Sequence, residues 1–415
     1  MIKNKTMPTL RFCLIQGLFW GSFGCVFAFS SVYLLAKGFT NSQVGYILSA
    51  GSAVSVIMQP LVGSFVDKSR KMLLRSIPVI LSAIVIGFCT LLLLIGEGML
   101  IRAVCYGTLV AVLQILMPLL YSLGIHYMEK GVNINFGIGR GTGSTAYALV
   151  TTFLGVLVGK AGENTVIVSV IVIYLFMIAA VLSFRFGDAD GTAESTGAQK
   201  DGEAVAAAKS DPASGEQGRS GSTPLLAFFA ENRRFTLVLL GCVLAFTSHN
   251  IITNYLFQIV SYHGYGSKEM GYGLSITALS ELPALFCLSF IMKKIRVSTL
   301  FRLSVAVMFV KNLFIYLATG IVMLYLAMGF QLLGYGLFAG ISVYYVNMTV
   351  TEKDRTKGQA LMTATSAAGA VAGCLLGGVL LDVLDVKGML LVSTVIALCG
   401  ALTVYFSAKK TKAAA

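Results

Sequence analysis

The amino-acid sequence predicts an all-α integral membrane protein, with twelve transmembrane helices in two six-helix bundles. Three observations predict it. The 415 residues are 56% hydrophobic and only 12% charged, with a mean hydropathy of +0.83, whereas a soluble domain carries about 25% charged residues. A water-soluble core has no use for so much apolar surface, so most of it must face lipid. Runs of about twenty apolar residues, the length that crosses a bilayer as a helix, can be laid down twelve times. One long polar stretch separates the first six runs from the last six.

In chain order the spans fall at 11–36, 42–66, 72–95, 99–125, 136–159, 164–186, 235–262, 270–292, 297–319, 321–350, 357–381 and 387–408. The first break is the turn-rich Lys37-Gly38-Phe39-Thr40-Asn41, and the second is Asp67-Lys68-Ser69-Arg70-Lys71. After span six comes a stretch rich in Gly, Ala, Ser and acidic residues and poor in aromatics. It has too little apolar area to offset the entropy of folding and reads as a disordered cytoplasmic linker. The expected domains are therefore a bundle at 1–186, a linker at 187–231 and a bundle at 232–415.

Orientation follows from the basic residues, which accumulate on the cytoplasmic side of a membrane. Even-numbered loops and the two termini hold 24 of the 31 Lys and Arg, and odd-numbered loops hold five. Arg140 and Lys311 lie inside spans. Both termini are thus expected in the cytoplasm, with the chain in a bacterial plasma (cell inner) membrane.

The halves also repeat. Gly38-Phe39-Thr40-Asn41-Ser42-Gln43-Val44-Gly45-Tyr46 recurs, position for position, as Gly264-Tyr265-Gly266-Ser267-Lys268-Glu269-Met270-Gly271-Tyr272. Leu48-Ser49 recurs at the same offset as Leu274-Ser275. Span two therefore corresponds to span eight. Spans five and eleven are rich in glycine at four-residue spacing, which lets membrane helices approach closely.

Several classes of function are disfavoured. Eight cysteines stand singly in apolar segments, with no CxxC or Cys/His cluster, so neither a metal nor a disulfide framework is expected. No GxxxxGK[ST] loop appears, which disfavours ATP-driven transport. No nucleophile–base pair stands out, so an enzyme is not expected, and no cofactor is. The net charge of +13 would suggest nucleic acid in a soluble protein. Here it reads as basic loops, with no nucleic-acid partner. The first span is too long for a cleaved signal peptide.

The chemistry centres on Glu281, the only acidic residue well inside a predicted span. A charge at that depth costs roughly 3 kcal/mol on insertion scales and marks a partner or a watery cavity. Lys311 in span nine reaches a similar depth at a rise of about 1.5 Å per residue. The two read either as a proton-gated pair or as a structural ion pair. Arg140 lies nearer the cytoplasmic end, where it could snorkel to water or present its planar fork to hydroxyls. His249, Asn250, Asn254 and Tyr255 form a polar stripe at helical spacing, serving either helix contacts or a cavity wall. Trp20 and Tyr33 in span one read either as a stacking platform or as packing, with packing favoured.

At Gly63-Ser64-Phe65-Val66-Asp67-Lys68-Ser69-Arg70-Lys71 the chain resembles the major facilitator superfamily. That family's loop between helices two and three carries Gly, then Asp and basic residues. Gly63, Asp67, Lys68 and Arg70 match it when one residue is deleted, and would form a conformational gating loop. Within the superfamily the chain is similar to the oligosaccharide:proton symporters of the lactose permease type and to nucleoside:proton relatives. Glu129-Lys130, then Phe136-Gly137-Ile138-Gly139-Arg140, then Tyr147 follow the permease order. The resemblance implies that Arg140 binds substrate hydroxyls and that Tyr147 stacks on a ring. It further implies that Glu281 stands for a substrate-binding helix-eight Glu, and Lys311 for a buried helix-nine Arg. His249, Asn254 and Gln331 complete the expected substrate-binding set. The chain departs from the family where a helix-four carboxylate falls on Ile125, and where the helix-ten His and Glu fall on Gln331 and Gly334.

The expected function is secondary active transport of a small polar solute, oligosaccharide- or nucleoside-like, by proton symport and rocking of the two halves. Glu281 and Lys311 are the expected proton-coupling pair. Protons and the bilayer are the other partners, and the chain is expected to act as a monomer. A proton-coupled drug exporter and a solute sensor without net transport are the alternatives.

Overall fold

The structure, a computed structural model, describes residues 7–68, 73–96, 98–184 and 224–409. The described residues are helical, with no strand. The first half holds α1 (Met7–Phe23), a π-helical turn (Gly24–Ala28), α2 (Ser30–Ala36), α3 (Asn41–Lys68), α4 (Leu73–Leu94), α5 (Met99–Glu129), α6 (Phe136–Ala161) and α7 (Asn164–Ser183). Next come α8 (Leu225–Glu231), α9 (Arg233–Asn254), α10 (Leu256–Tyr262), α11 (Ser267–Met292) and α12 (Val297–Leu317). The chain ends with α13 (Ile321–Gly329), a 3₁₀ turn (Phe330–Leu332), α14 (Tyr335–Thr349), a second 3₁₀ turn (Glu352–Asp354) and α15 (Arg355–Ser407).

Ten of these helical runs are long and apolar enough to cross a membrane. The last one is two crossings in one. α15 has 53 residues, about 80 Å at 1.5 Å per residue, against a hydrocarbon core of about 30 Å. Its backbone leaves helical geometry at Asp385 (φ 68°, ψ −173°). Before that point Gly369, Gly373 and Gly377 meet Phe246, Asn250 and Tyr255 of the α9 segment in ascending order. After it Ser393 meets Ser248 and Gly400 meets Gly241, in descending order. The chain therefore turns back at Asp385, whose Oδ1 accepts the N–H of Gly388 (2.9 Å) and caps the returning half. Counting α15 twice and adding α11, the helix of 26 residues that holds Glu281, gives the twelve expected spans.

The described residues fall into two compact units, one of 7–33 and 50–184 and the other of 34–49 and 224–409. The boundary runs through α3. Its start, up to Ser49, belongs to the second unit, and polar contacts explain why. Asp382 accepts the Ser42 N–H (2.7 Å), the Asn41 N–H (3.3 Å) and the Asn41 side-chain amide (2.9 Å). Gln258 donates to Asn41 Oδ1 (2.9 Å) and Ser49 donates to the Val371 carbonyl (3.0 Å). Gly45 lies so close to the Cys374 carbonyl that an added Cβ would sit 2.5 Å from it. The expected linker lies outside the described residues up to residue 223, and its last part, Leu225–Glu231, is helical with Phe228 buried.

The internal repeat is written in the backbone. Gly38 (φ 87°) and Gly264 (φ 82°) are the positive-φ glycines of the two matching turns. The helices that follow start at Asn41 and Ser267, three positions after each glycine. Each start is closed by a reaching side chain, from Gln43 to the Thr40 N–H and from Glu269 to the Gly266 N–H. The preceding helix of each half is broken at matching positions, at Phe29 (φ −97°, ψ 10°) and at Tyr255 (φ −112°, ψ 23°).

Candidate functional site

In the second unit, three helices bring the intramembrane charges to one amide. α13 and α14 are parted at Gly329-Phe330-Gln331-Leu332-Leu333-Gly334, where two glycines flank a 3₁₀ turn. Glycine inside a helix costs roughly 1 kcal/mol relative to alanine, and a pair bracketing the turn lets the helix tighten and restart. Irregular backbone at membrane depth is tolerated where it is buried in protein or lines a cavity. Gly336 then packs α14 on α11, since a Cβ there would meet the Glu281 Cα at 3.3 Å.

The break presents Gln331 to both charges. Lys311 Nζ donates to Gln331 Oε1 (2.7 Å), and Gln331 Nε2 donates to Glu281 Oε1 (2.8 Å). Lys311 is 3% and Gln331 2% exposed, while Glu281 is half-buried. A glutamine amide has one acceptor and two donors, so it can satisfy a cation and an anion at once. The Gln331 amide thus bridges Lys311 and Glu281. A buried charge left unpaired is costly, and each group here has a stated partner.

The polar stripe of α9 divides its labour. The His249 ring lies parallel to Tyr335 (5.4 Å, 4°), just past the helix break. Asn250 donates to its own helix at the Phe246 carbonyl (2.8 Å). Asn254 donates to Cys374 Sγ (3.0 Å) and Tyr255 to the Cys374 carbonyl (2.6 Å), which ties α9 to α15. Next to His249 and Lys311 lies a knot that the sequence did not reveal. Ser248 Oγ donates to Asn312 Oδ1 (2.6 Å), Ser393 Oγ donates to the same oxygen (3.1 Å), and all three residues are buried. The available signal was adjacency, because each of Ser248 and Asn312 neighbours a residue singled out on its own chemistry.

In the first unit Arg140 is exposed and donates to the Tyr121 hydroxyl (3.4 Å). Tyr147, further along the same helix, is half-buried beside Gly24. Of the gating-loop residues, Gly63, Asp67 and Lys68 lie in the last turns of α3, and Arg70 falls outside the described residues.

Residues 11–391 match the profile of a family described as the MFS_1 like family. No curated protein matches the chain by sequence. Among solved structures, that of the nucleoside transporter NupG superposes with a TM-score of 0.75 at 13% identity, covering 98% of this chain and 100% of that one. A bacterial homolog to human lysosomal transporter Spinster, inward-facing and occupied, gives a TM-score of 0.70 at 10% identity, covering 98% and 97%. An auto inhibited POT family peptide transporter gives 0.67 at 10% identity, covering 97% and 96%. At such identities the likeness is one of fold.

Proposed function

The chain belongs to the MFS_1 like family and is a membrane transporter of that type, not an enzyme, and from this premise we propose that it moves a small polar solute, nucleoside- or oligosaccharide-like, by proton symport. Solute and proton cross in one alternating-access cycle. Glu281 and Lys311 are the coupling residues, and Arg140, Tyr147, His249, Asn254 and Gln331 contribute to the solute site. Gly63, Asp67, Lys68 and Arg70 act in the gating loop. The protein works as a monomer in a bacterial plasma membrane with both termini in the cytoplasm. NupG, similar in fold, is a nucleoside transporter, which agrees with the solute class.

The observation that carries the reading is the Lys311–Gln331–Glu281 chain. A coupled carrier needs a group whose charge changes with the cycle. Glu281 is that group because it is half-buried while its neighbours are closed off. As an anion it accepts from Gln331 and is balanced by Lys311. Desolvation favours the neutral acid and the cation favours the anion, so a change in hydration around Glu281 takes up or releases a proton. The protonated acid resembles glutamine, which sets the test. Glu281→Gln should still bind solute and exchange it in counterflow. In proteoliposomes it should fail to concentrate solute under an imposed proton gradient. Undiminished proton-driven accumulation by Glu281→Gln would leave Glu281 as a structural partner of Gln331.

A further inference from the structure

One face of α1 holds polar atoms with nothing to bond to among the described residues. Gln16 is 1% exposed, and neither its Oε1 nor its Nε2 has a partner there. One turn on, Trp20 Nε1 is buried and equally unpartnered. The reason lies on the opposing helix. α1 packs on α6 where α6 has no side chains: a Cβ on Gly139 would meet Phe12 at 2.6 Å and Gln16 at 3.7 Å, and one on Gly143 would meet the indole at 2.4 Å. Glycine gives the aromatic its room and offers no hydrogen bond in return. The packing is reciprocal one turn further, where Tyr147 lies over Gly24.

A buried amide with both ends unmade is rare in folded proteins, and each case calls for an explanation. Gln16 and Trp20 are four residues apart and so share a helix face. That face continues as a ladder of rings, Trp20 to Phe23 at 5.4 Å and Phe23 to Phe27 at 4.5 Å and 15°. Trp20 and Phe23 are half-buried, so part of each ring remains exposed. It runs into the π-helical turn Gly24–Ala28, a feature found frequently at functional sites.

We propose that Gln16 and Trp20 form a recognition site for a planar heterocycle carrying adjacent hydrogen-bond donor and acceptor groups, as a nucleobase does. The ring lies against Trp20 and Phe23, a stacking that every base permits. Gln16 pairs with the donor–acceptor edge, as glutamine does with adenine, and the indole N–H donates to a ring carbonyl or nitrogen. This assignment rests on the reading of the protein as a polar-solute transporter and narrows its solute from sugars to nucleosides.

Trp20 is the only tryptophan in the chain, so the tryptophan emission of the purified protein, excited selectively over that of its tyrosines, reports on this site. Titration with uridine and with adenosine should give a saturable change in emission, and ribose and lactose should give none over the same range. Gln16→Leu should raise the uridine midpoint at least tenfold. It should leave the melting temperature of the ligand-free protein unchanged or higher, because no internal bond is lost. Trp20→Phe should weaken uridine uptake in proteoliposomes. A parental midpoint in Gln16→Leu overturns the proposal, as does an equal response to ribose. A lower melting temperature with unchanged affinity would make Gln16 a structural residue. Proton-driven uptake of lactose without any response at Trp20 would keep the transporter reading and remove this site. Uptake of none of the four solutes would overturn the proposed solute class together with this site.

Discussion

Gln331 joins two groups that no single charged residue could join, since a cation repels Lys311 and an anion repels Glu281. The sequence singled out all three residues, two by their charge inside apolar spans and one through family resemblance. The bridge itself was not legible, because it depends on a 3₁₀ turn that re-aims one side chain between two other helices. The coupling can be measured. Lys311→Met in the parent leaves Gln331 and Glu281 without their balancing cation, whereas in Glu281→Gln no anion remains to balance. Coupling energies between residues of one network run to about 0.5–3 kcal/mol. Lys311→Met should therefore lower the melting temperature more in the parent than in Glu281→Gln. Equal effects in the two backgrounds would show that the two charges do not communicate through Gln331.

At the scale of elements, the glycine pattern of spans five and eleven foretold close helix packing, and the structure says which side chains fill the space. On α6 the glycines make room for Phe12, Gln16 and Trp20, and on α15 they make room for the α9 segment from Phe246 to Tyr255. A glycine's role cannot be read from spacing alone. On α4, a Cβ added to Gly87 would have nothing within 4 Å, whereas one on Gly369 would come within 2.3 Å of the Phe246 side chain. The same substitution should therefore have opposite signs. Gly87→Ala should raise stability by roughly 0.5–1 kcal/mol through helix propensity. Gly369→Ala should lower it by about 1–3 kcal/mol, the cost of overpacking. Thermal unfolding of the two variants in detergent decides this, and a loss at Gly87 equal to that at Gly369 would contradict it. The break between α13 and α14 was hidden, because Gly329, Gln331 and Gly334 fall inside one long apolar run at 321–350, where glycines read equally well as helix-packing residues.

For the whole molecule, the orientation proposed above rests on the basic-loop asymmetry and can be tested directly. Cysteine placed at Ser210, in a background without the native eight, should be labelled by an impermeant reagent only from the cytoplasmic side. Cysteine at Tyr265, which is 40% exposed, should be labelled only from outside. Tyr265 is chosen over its neighbour Gly264, whose φ of 82° a side chain would strain. Labelling with the sides reversed would overturn the topology.

The sequence by itself determined that the chain is a helical membrane protein with twelve spans. Lipid demands long apolar helices whose backbone is satisfied internally, and that demand is met locally, residue by residue. It also determined the duplication, since the paired turn glycines, Gly38 and Gly264, and the capping side chains of Gln43 and Glu269 are local devices. Tertiary structure alone decided the rest. It assigned the start of α3 to the second unit, through an Asp382 far along the chain from Ser42. It set Gln331 between Glu281 and Lys311, and it left Gln16 without a partner among the described residues, opposite the glycines of α6. These are consequences of which helix faces meet, and in a membrane that choice rests on close packing and hydrogen bonds rather than on hydrophobic burial. An apolar pattern that satisfies lipid on every side does not encode it.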